Sequence, residues 1–117
     1  MPKLAIIADD LTGANDTGVQ FRKFGMKTLV LLEANPVEWI RQADIVVIDT
    51  DSRAIDATIA TERVRSACRM FASQGIGDLY KKVDSTLRGN VGAEIAAAVE
   101  EFQPEVAIIA PAFPKTG

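Results

Sequence analysis

The sequence lacks the residues on which several common kinds of site depend. It contains no histidine and a single cysteine, Cys68. An intramolecular disulfide is therefore excluded, and a zinc site, which is usually built from cysteine and histidine ligands, is not expected. Carboxylates are plentiful, however, and they still allow a site for a hard cation.

Long apolar runs, an excess of positive charge and nucleotide-binding glycine patterns are also missing. No segment approaches the roughly 20 apolar residues that a membrane-spanning helix needs. The chain start does not have the apolar region of a secretory signal, so we expect a cytoplasmic protein without a membrane partner. The 13 Lys and Arg residues are outnumbered by 16 Asp and Glu residues, which gives no reason to expect a nucleic-acid partner. Neither a G-x-x-x-x-G-K-S/T pattern nor a G-x-G-x-x-G pattern after the first strand is present.

What the sequence does contain is a regular alternation of apolar, strand-like runs and amphipathic helical stretches. With 117 residues, of which 48 % are hydrophobic, the chain suits one domain with a single core. The alternation predicts an α/β fold with three layers, α/β/α, around a mainly parallel, doubly wound sheet of about five strands. Four helices connect the predicted strands, which cover residues 3–8, 27–32, 43–49, 78–83 and 105–110.

Two of the predicted helices carry an apolar stripe with helical spacing. The longest helix is capped by Asp56, and its stripe consists of Ala60, Val64, Ala67, Cys68 and Phe71. Cys68 is therefore interpreted as a core residue. In the helix that follows Asn90, the same spacing selects Val91, Ile95, Ala98, Val99 and Phe102.

Two glycines mark the first helix. Gly18, inside it, is interpreted as a point of close packing against the sheet. The helix is expected to continue to Phe24, and Gly25 is expected to adopt the left-handed conformation that ends many helices.

Polar side chains are concentrated where three of the predicted strands end. The first strand runs into Asp9 and Asp10, the third into Asp51–Arg53, and the fourth into Lys81–Asn90. Open α/β sheets bind ligands at the carboxyl ends of their strands, so we predict that these turns form the walls of one polar site. Its mixture of cations and carboxylates suits a small polyhydroxy acid, because arginine binds an acid group and carboxylates accept from hydroxyls.

The first two turns also have plainer structural interpretations. Along an extended strand Asp9 and Asp10 would point in opposite directions, so that one faces the site while the other caps the next helix. Alternatively, both only cap and solvate the turn. Arg53 is either a ligand-binding fork or a surface arginine that pairs with Asp51 or Asp49.

The third turn, Lys81–Asn90, holds the densest polar chemistry of the chain. A helix start beside an arginine is a site for anions. Asp84 is a candidate general base that accepts the proton of a substrate hydroxyl, as in phosphoryl transfer. The plainer alternative is a solvated turn in which Ser85 or Thr86 caps the following helix.

Four stretches resemble the amino-terminal domain of the four-carbon acid sugar kinases, a family long catalogued as one of unknown function. They are Ala8–Asp16, Asp51–Arg53, Lys81–Asn90 and Ala110–Pro114. The resemblance implies ATP-dependent phosphorylation of a terminal hydroxyl of a sugar acid such as threonate, erythronate or a 3-oxo-tetronate. It also implies that ATP and Mg²⁺ are bound mainly by a separate carboxyl-terminal domain, and no cofactor-binding or metal-binding residue is expected in this chain.

The resemblance further implies which residues bind the sugar acid, and they include Asp84, the candidate catalytic base proposed above from its turn. The implied substrate-binding residues are Asp9, Asp10, Asn15, Arg53, Lys82, Val83, Asp84, Ser85 and Arg88. Residues 1–117 are expected to be a truncated sugar-acid-binding domain that lacks the ATP domain and is inactive by itself. A parallel sheet without its continuation would expose apolar surface and a strand edge, so self-association is expected.

Two other functions stay open. A stand-alone module that senses a sugar acid without phosphorylating it would use the same residues. A receiver-type signalling domain would have a similar size, with acidic residues after strands one and three, a hydroxyl after strand four and a lysine after strand five. The residues that fit this second plan are Asp9, Asp10, Asp49, Ser85 or Thr86, and Lys115, although Lys115 follows Pro114 instead of preceding a proline.

Overall fold

The computed structural model describes residues 4–31, 40–83 and 89–102. Four strands form one sheet: β1 (Leu4–Ala8), β2 (Thr28–Leu31), β3 (Ile45–Asp49) and β4 (Leu79–Lys82). The helices are α1 (Leu11–Arg22), α2 (Ala57–Ser73) and α3 (Val91–Phe102). Strands and helices alternate, which confirms the α/β class, although most of the predicted helix between β2 and β3 lies outside the described residues. The fifth predicted strand, residues 105–110, lies outside the described residues.

The sheet is parallel between all neighbouring described strands, in the order β2-β3-β1-β4. β1 and β3 occupy the centre, and all their residues except the half-buried Leu4 are buried. Burial on both faces explains why these strands are nearly continuous apolar runs. The register pairs Ala8 with Asp49 on one side and with Lys82 on the other, so β1, β3 and β4 end at the same level.

Different helices cover the two faces of the sheet, which gives three layers. On one face, Ile6 and Val47 belong to an apolar cluster with Ala14 of α1. On the other face, the cluster contains Ile7 together with residues of α2 and α3. Neighbours in sequence such as Ile6 and Ile7 serve different clusters because side chains alternate across a strand.

The chain leaves β1 and β3, which lie side by side, toward opposite faces of the sheet. After β1 it enters α1 on one face, and after β3 it enters α2 on the other. In an open α/β sheet such a divergence is a topological switch point, where a crevice for ligands opens at the carboxyl ends of the strands. Two of the polar turns predicted from the sequence follow the strands that flank this point, and the third follows β4, which lies beside β1.

Helix α2 follows its sequence prediction. Asp56 caps it, since its Oδ1 accepts a hydrogen bond from the backbone N–H of Thr58 at 2.8 Å. Cys68 is fully buried, and burial raises the pKa of its thiol to about 11, as expected of a core residue and not of a reactive thiol. The buried residues of α2 are the five that were predicted, Ala60, Val64, Ala67, Cys68 and Phe71.

The glycines of α1 behave as predicted, whereas its end differs. A methyl group built on Gly18 would lie 3.4 Å from Cγ2 of Thr28, so this glycine does pack closely against the sheet. Gly25 has the expected left-handed backbone, with φ of +78°. The helix ends at Arg22 and does not reach Phe24, because the N–H groups of Phe24 and Gly25 donate to carbonyl oxygens three residues back, in a turn and not in an α-helix.

The predicted apolar stripe of α3 is confirmed in part. Ala98 is buried, the stripe members Val91, Ile95 and Phe102 are half-buried, and Val99 is 41 % exposed. The buried face consists of Glu94, Ala97 and Ala98, because small side chains let α3 pack closely on α2 and because Glu94 has buried partners. Tyr80 of β4 is also exposed. None of the described helices is long and apolar enough to cross a membrane.

Candidate functional site

An arginine held by two adjacent carboxylates forms the centre of the site. Arg53 follows β3 and reaches across to the turn after β1. Its Nε and Nη2 donate to the two carboxylate oxygens of Asp9, at 3.2 and 3.0 Å, and its Nη1 lies 3.0 Å from Oδ2 of Asp10. The Asp9 side chain is 4 % exposed, whereas those of Asp10 and Arg53 are 28 % and 24 % exposed. The Arg53 guanidinium thus balances the negative charge of the buried Asp9 carboxylate, in a cluster that solvent still reaches.

Asp10 has a second function at the start of α1. Its Oδ1 accepts a hydrogen bond from the backbone N–H of Gly13 at 2.8 Å, and its own backbone is extended, as is usual for a capping residue. The predicted division is found only in part: Asp10 caps the helix, but its carboxylate and that of Asp9 converge on Arg53 and do not point in opposite directions. The structure adds that Asp10 also pairs with Arg53.

Backbone hydrogen bonds fix the turn after β3 against the end of β1. The N–H groups of Ser52 and Arg53 both donate to the carbonyl oxygen of Asp9, at 3.0 and 3.2 Å. The N–H of Thr50 donates to the carbonyl oxygen of Ala8 at 2.9 Å, which extends the sheet ladder by one bond. Arg53 is therefore held to Asp9 through both its backbone and its side chain.

The same turn is also fixed from its outer side. Asp51 has a left-handed backbone, with φ of +46°, and its N–H donates to Oδ1 of Asp49 at 2.8 Å. Arg63 of α2 donates to the carbonyl oxygens of Thr50 and Asp51, at 3.0 and 2.8 Å. Burial raises the pKa of Asp49, an effect that the bond from the Asp51 N–H opposes and the nearby Asp51 charge reinforces.

The third turn reaches the cluster through Gly89. This glycine has a φ of +92°, and a methyl group built on it would lie 3.0 Å from Cγ of Arg53 and 3.1 Å from Oδ2 of Asp9. A close approach in this conformation requires glycine. The adjacent Asn90 donates from Nδ2 to the carbonyl oxygen of Ser52 at 3.0 Å, which ties the start of α3 to the turn after β3.

Lys82, at the end of β4, borders the cluster on the side of α1. A methyl group built on Gly13 would lie 3.6 Å from its Cγ, and its Nζ donates to the carbonyl oxygen of Val83 at 2.6 Å. Asn15 is exposed on α1. The structure thus brings together Asp9, Asp10 and Arg53, with Lys82 at their edge. The remaining predicted site residues, Asp84, Ser85 and Arg88, lie outside the described residues.

Sequence reasoning missed a buried polar network beneath this cluster. Ser52 donates from Oγ to Oε1 of Glu94 at 3.0 Å, and Nζ of Lys81 lies 3.2 Å from the same oxygen. The hydroxyl oxygens of Thr50 and Ser52 are 2.7 Å apart. Ser52 is fully buried and Glu94 is 1 % exposed. A glutamate in an amphipathic helix is normally solvated, and the one available signal was its position one turn before the buried Ala97.

The site edge therefore holds two cationic side chains and two carboxylates close together. The cations are Arg53 and Lys82, and the carboxylates are Asp9 and Asp10. Cations of this kind bind a carboxylate or a phosphate, and carboxylates accept hydrogen bonds from hydroxyls. In the part of the chain that the structure describes, no group of three or more His, Cys, Asp or Glu side chains is placed to hold a metal ion.

A shallow depression also lies away from this cluster, near the amino end of β2. Its walls hold none of the site residues predicted from the sequence. They consist of Arg22, Gly25, Met26, Lys27 and Thr28. It therefore provides a comparison region for any test of where a ligand binds.

Three comparisons relate the chain to known proteins. A family model described as "Sugar-binding N-terminal domain" matches residues 4–117. The chain is 47 % identical over 116 residues to D-threonate kinase of Salmonella typhimurium, covering 98 % of this chain and 27 % of that protein. It is 42 % identical over 120 residues to D-erythronate kinase of Heliobacterium modesticaldum, covering 100 % of this chain and 27 % of that protein. The chain thus spans about a quarter of the length of these relatives.

The fold of the chain also matches that of a solved structure. It is a protein from Bordetella bronchiseptica, described as a domain-swapped dimer with bound citrate. The fold matches with a TM-score of 0.81 at 40 % identity, covering 89 % of this chain and 27 % of that one.

Proposed function

The chain belongs to the family of sugar-binding N-terminal domains, and from this premise we propose that it is the sugar-acid-binding part of an ATP-dependent kinase. The proposed reaction phosphorylates a terminal hydroxyl of a four-carbon sugar acid, such as threonate, erythronate or a 3-oxo-tetronate. The observation that carries the proposal is the Arg53 fork between Asp9 and Asp10 at the switch point of the sheet. The names of the threonate and erythronate kinase relatives support the substrate class.

The proposed binding mode follows from the charges at this edge. The carboxylate of the sugar acid binds Arg53 and Lys82, and its hydroxyls donate to Asp9 and Asp10. Each carboxylate oxygen accepts more than one hydrogen bond, so Asp9 keeps acceptor positions while it holds Arg53. Other residues are proposed to complete the site, namely Asn15, Val83, Asp84, Ser85 and Arg88.

Asp84 is proposed to take the proton of the substrate hydroxyl as its oxygen bonds to the terminal phosphorus of ATP and the bond from that phosphorus to ADP breaks, so that ADP is the leaving group. ATP supplies the phosphoryl group and Mg²⁺ neutralises its charge when both are bound, and we assign their binding to the remainder of the enzyme. The 117-residue chain alone is therefore expected to bind the acid without turning it over. A kinase of this kind works in the cytoplasm, where ATP is available.

Family membership favours this proposal over the receiver-type alternative. The phospho-acceptor of that alternative would be Asp49, which is buried and whose Oδ1 already accepts from the N–H of Asp51. A binding module without catalysis would share the site proposed here and would differ only in the absence of an ATP-binding partner.

Calorimetry with the 117-residue chain tests the proposal. D-Threonate and D-erythronate are expected to bind, and Arg53→Ala is expected to weaken binding at least about tenfold, equivalent to about 1.4 kcal/mol. The uncharged polyol erythritol serves as the ligand control. Arg69→Ala serves as the protein control, because Arg69 is an exposed arginine that also makes a two-bond pair, with Glu101 on α3. Equal heats for the wild type and Arg53→Ala would contradict the proposal.

We also propose that the chain self-associates. Phe24 is 81 % exposed and Met26 is 41 % exposed, close together in the turn before β2. Apolar side chains exposed in this way favour association in water. The domain-swapped dimer of the Bordetella bronchiseptica relative supports the proposal. Light scattering over a range of protein concentrations is expected to give a mass above that of the monomer, and a monomer at every concentration would contradict it.

A further inference from the structure

One carboxylate oxygen beneath the site receives two donors from different parts of the chain. Oε1 of Glu94 accepts from the Ser52 hydroxyl at 3.0 Å and lies 3.2 Å from the Lys81 ammonium. Each donor immediately precedes a cation of the proposed binding site, since Arg53 follows Ser52 and Lys82 follows Lys81. Glu94 therefore joins the two backbone segments that carry these cations.

The alternation of side chains along β4 explains how this contact acts on Lys82. Lys81 pairs in register with Ile7, whose cluster includes α3, and Lys82 pairs with Ala8, whose cluster includes α1. Lys81 therefore points toward Glu94 while Lys82 points to the other face. Holding Lys81 on one face fixes the backbone from which Lys82 extends on the other.

The turn after β3 is held in a comparable way. Ser52 is fully buried, with its hydroxyl bonded to Glu94 and its N–H bonded to the carbonyl oxygen of Asp9. Arg53 begins one peptide bond later and forks onto the Asp9 carboxylate. The position of its guanidinium thus depends on how Ser52 is anchored.

Stability alone is a weak explanation for this arrangement. Oε2 of Glu94 is buried and has no hydrogen-bond partner among the residues that the structure describes. An unsatisfied buried polar group costs about 1–3 kcal/mol, and buried ion pairs often stabilise a fold no better than apolar residues of the same volume. A glutamate at this position is better explained by the geometry that it imposes.

We infer that Glu94 is a positioning residue, whose Oε1 sets the separation between Arg53 and Lys82 and so fits the site to a short sugar acid. The inference rests on the proposed function, which assigns both cations to the ligand. Glu94 itself lies beneath the cluster and acts through Ser52 and Lys81.

The first test observes Arg53 directly, without ligand. The ¹H–¹⁵N signal of Arg53 Nε is expected to shift in Glu94→Gln, a nearly isosteric change that removes the charge facing Lys81. Ser52→Ala, which removes one donor only, is the second variant and is expected to shift the same signal. Glu100→Gln is the control, because Glu100 pairs with Arg65 on the exposed side of the same helix. An Arg53 signal that moves in neither Glu94→Gln nor Ser52→Ala would overturn the inference.

The second test measures binding of D-threonate to the same chain. Glu94→Gln is expected to weaken binding about tenfold in the wild-type background, and by a smaller factor in the Arg53→Ala or Lys82→Ala background, since coupled residues are not additive. An equal loss in all three backgrounds would overturn the inference. A wild-type chain that binds no four-carbon acid would overturn the proposed function, and the Arg53 signal would still decide whether Glu94 holds the turn.

Discussion

At the scale of single residues, Gly89 leaves space for both members of the central ion pair because it has no side chain. Its missing methyl group would lie 3.0 Å from Cγ of Arg53 and 3.1 Å from Oδ2 of Asp9. Its φ of +92° is also one that other residues rarely adopt. The chain therefore passes this close to the cluster at position 89 only with a glycine there.

Gly89→Ala is expected to lower the free energy of unfolding by about 1–2 kcal/mol from backbone strain alone, and further because Arg53 must move. Gly92→Ala is the matched control, since a methyl group there has no neighbour within 4 Å and lies in helix α3. The control is expected to be as stable as the wild type or slightly more stable. Urea denaturation compares the two variants, and equal stabilities would contradict this account of Gly89.

Single residues also show which parts of the site a sequence can reveal. Asp9 and Asp10 could be predicted because they lie where a strand ends and a helix begins, which is where open α/β sheets bind ligands and where a helix needs a cap. Glu94 could not, because its burial depends on Ser52 and Lys81, which are distant in sequence and are brought to it by the fold. Local patterns contain the first kind of information but not the second.

At the scale of elements, the central strand β3 ends in a buried carboxylate. Asp49 is 7 % exposed, and the pKa of its carboxyl is raised mainly by burial, with the nearby charges of Asp51, Asp10 and Asp9 adding to the effect. The native chain therefore holds this proton more tightly than the unfolded chain does. Ionisation of Asp49 costs stability as the pH rises from about 3.9, the ordinary aspartate value, through the higher native value.

Asp49→Asn removes this cost and keeps an oxygen that can accept from the N–H of Asp51. The variant is expected to gain stability relative to the wild type between about pH 4 and pH 7, because only the wild type ionises a buried group in that window. Urea denaturation of both proteins at the two pH values measures the change. A stability difference that is the same at both pH values, or that shrinks as the pH rises, would refute the expectation.

The elements differ in how well the sequence predicts them. Helix α2 packs against the sheet along one regular stripe. The spacing of Val64, Cys68 and Phe71 is therefore sufficient to predict its buried face. Helix α3 packs through its small residues, and the more apolar Val99 remains exposed. Periodicity identifies a helix in both cases, but it identifies the buried face only where large apolar side chains fill it.

At the scale of the whole molecule, the strand order decides which turns meet. The sequence predicts that the turns after β1, β3 and β4 share one edge, because parallel strands end together. It does not predict the order β2-β3-β1-β4, which depends on pairing between distant segments. That order makes β1 and β3 neighbours and so brings Arg53 to Asp9.

The central claim is that a sugar acid binds at the carboxyl edge of the sheet, and an NMR titration of the ¹⁵N-labelled chain with D-threonate tests it most directly. The largest amide shifts are expected at Asp9, Asp10, Arg53 and Gly89, around the switch point. The control ligand is erythritol, which lacks the acid group and is expected to leave these signals in place. Largest shifts in the depression at residues 22–28, or a uniform response along the chain, would contradict the account.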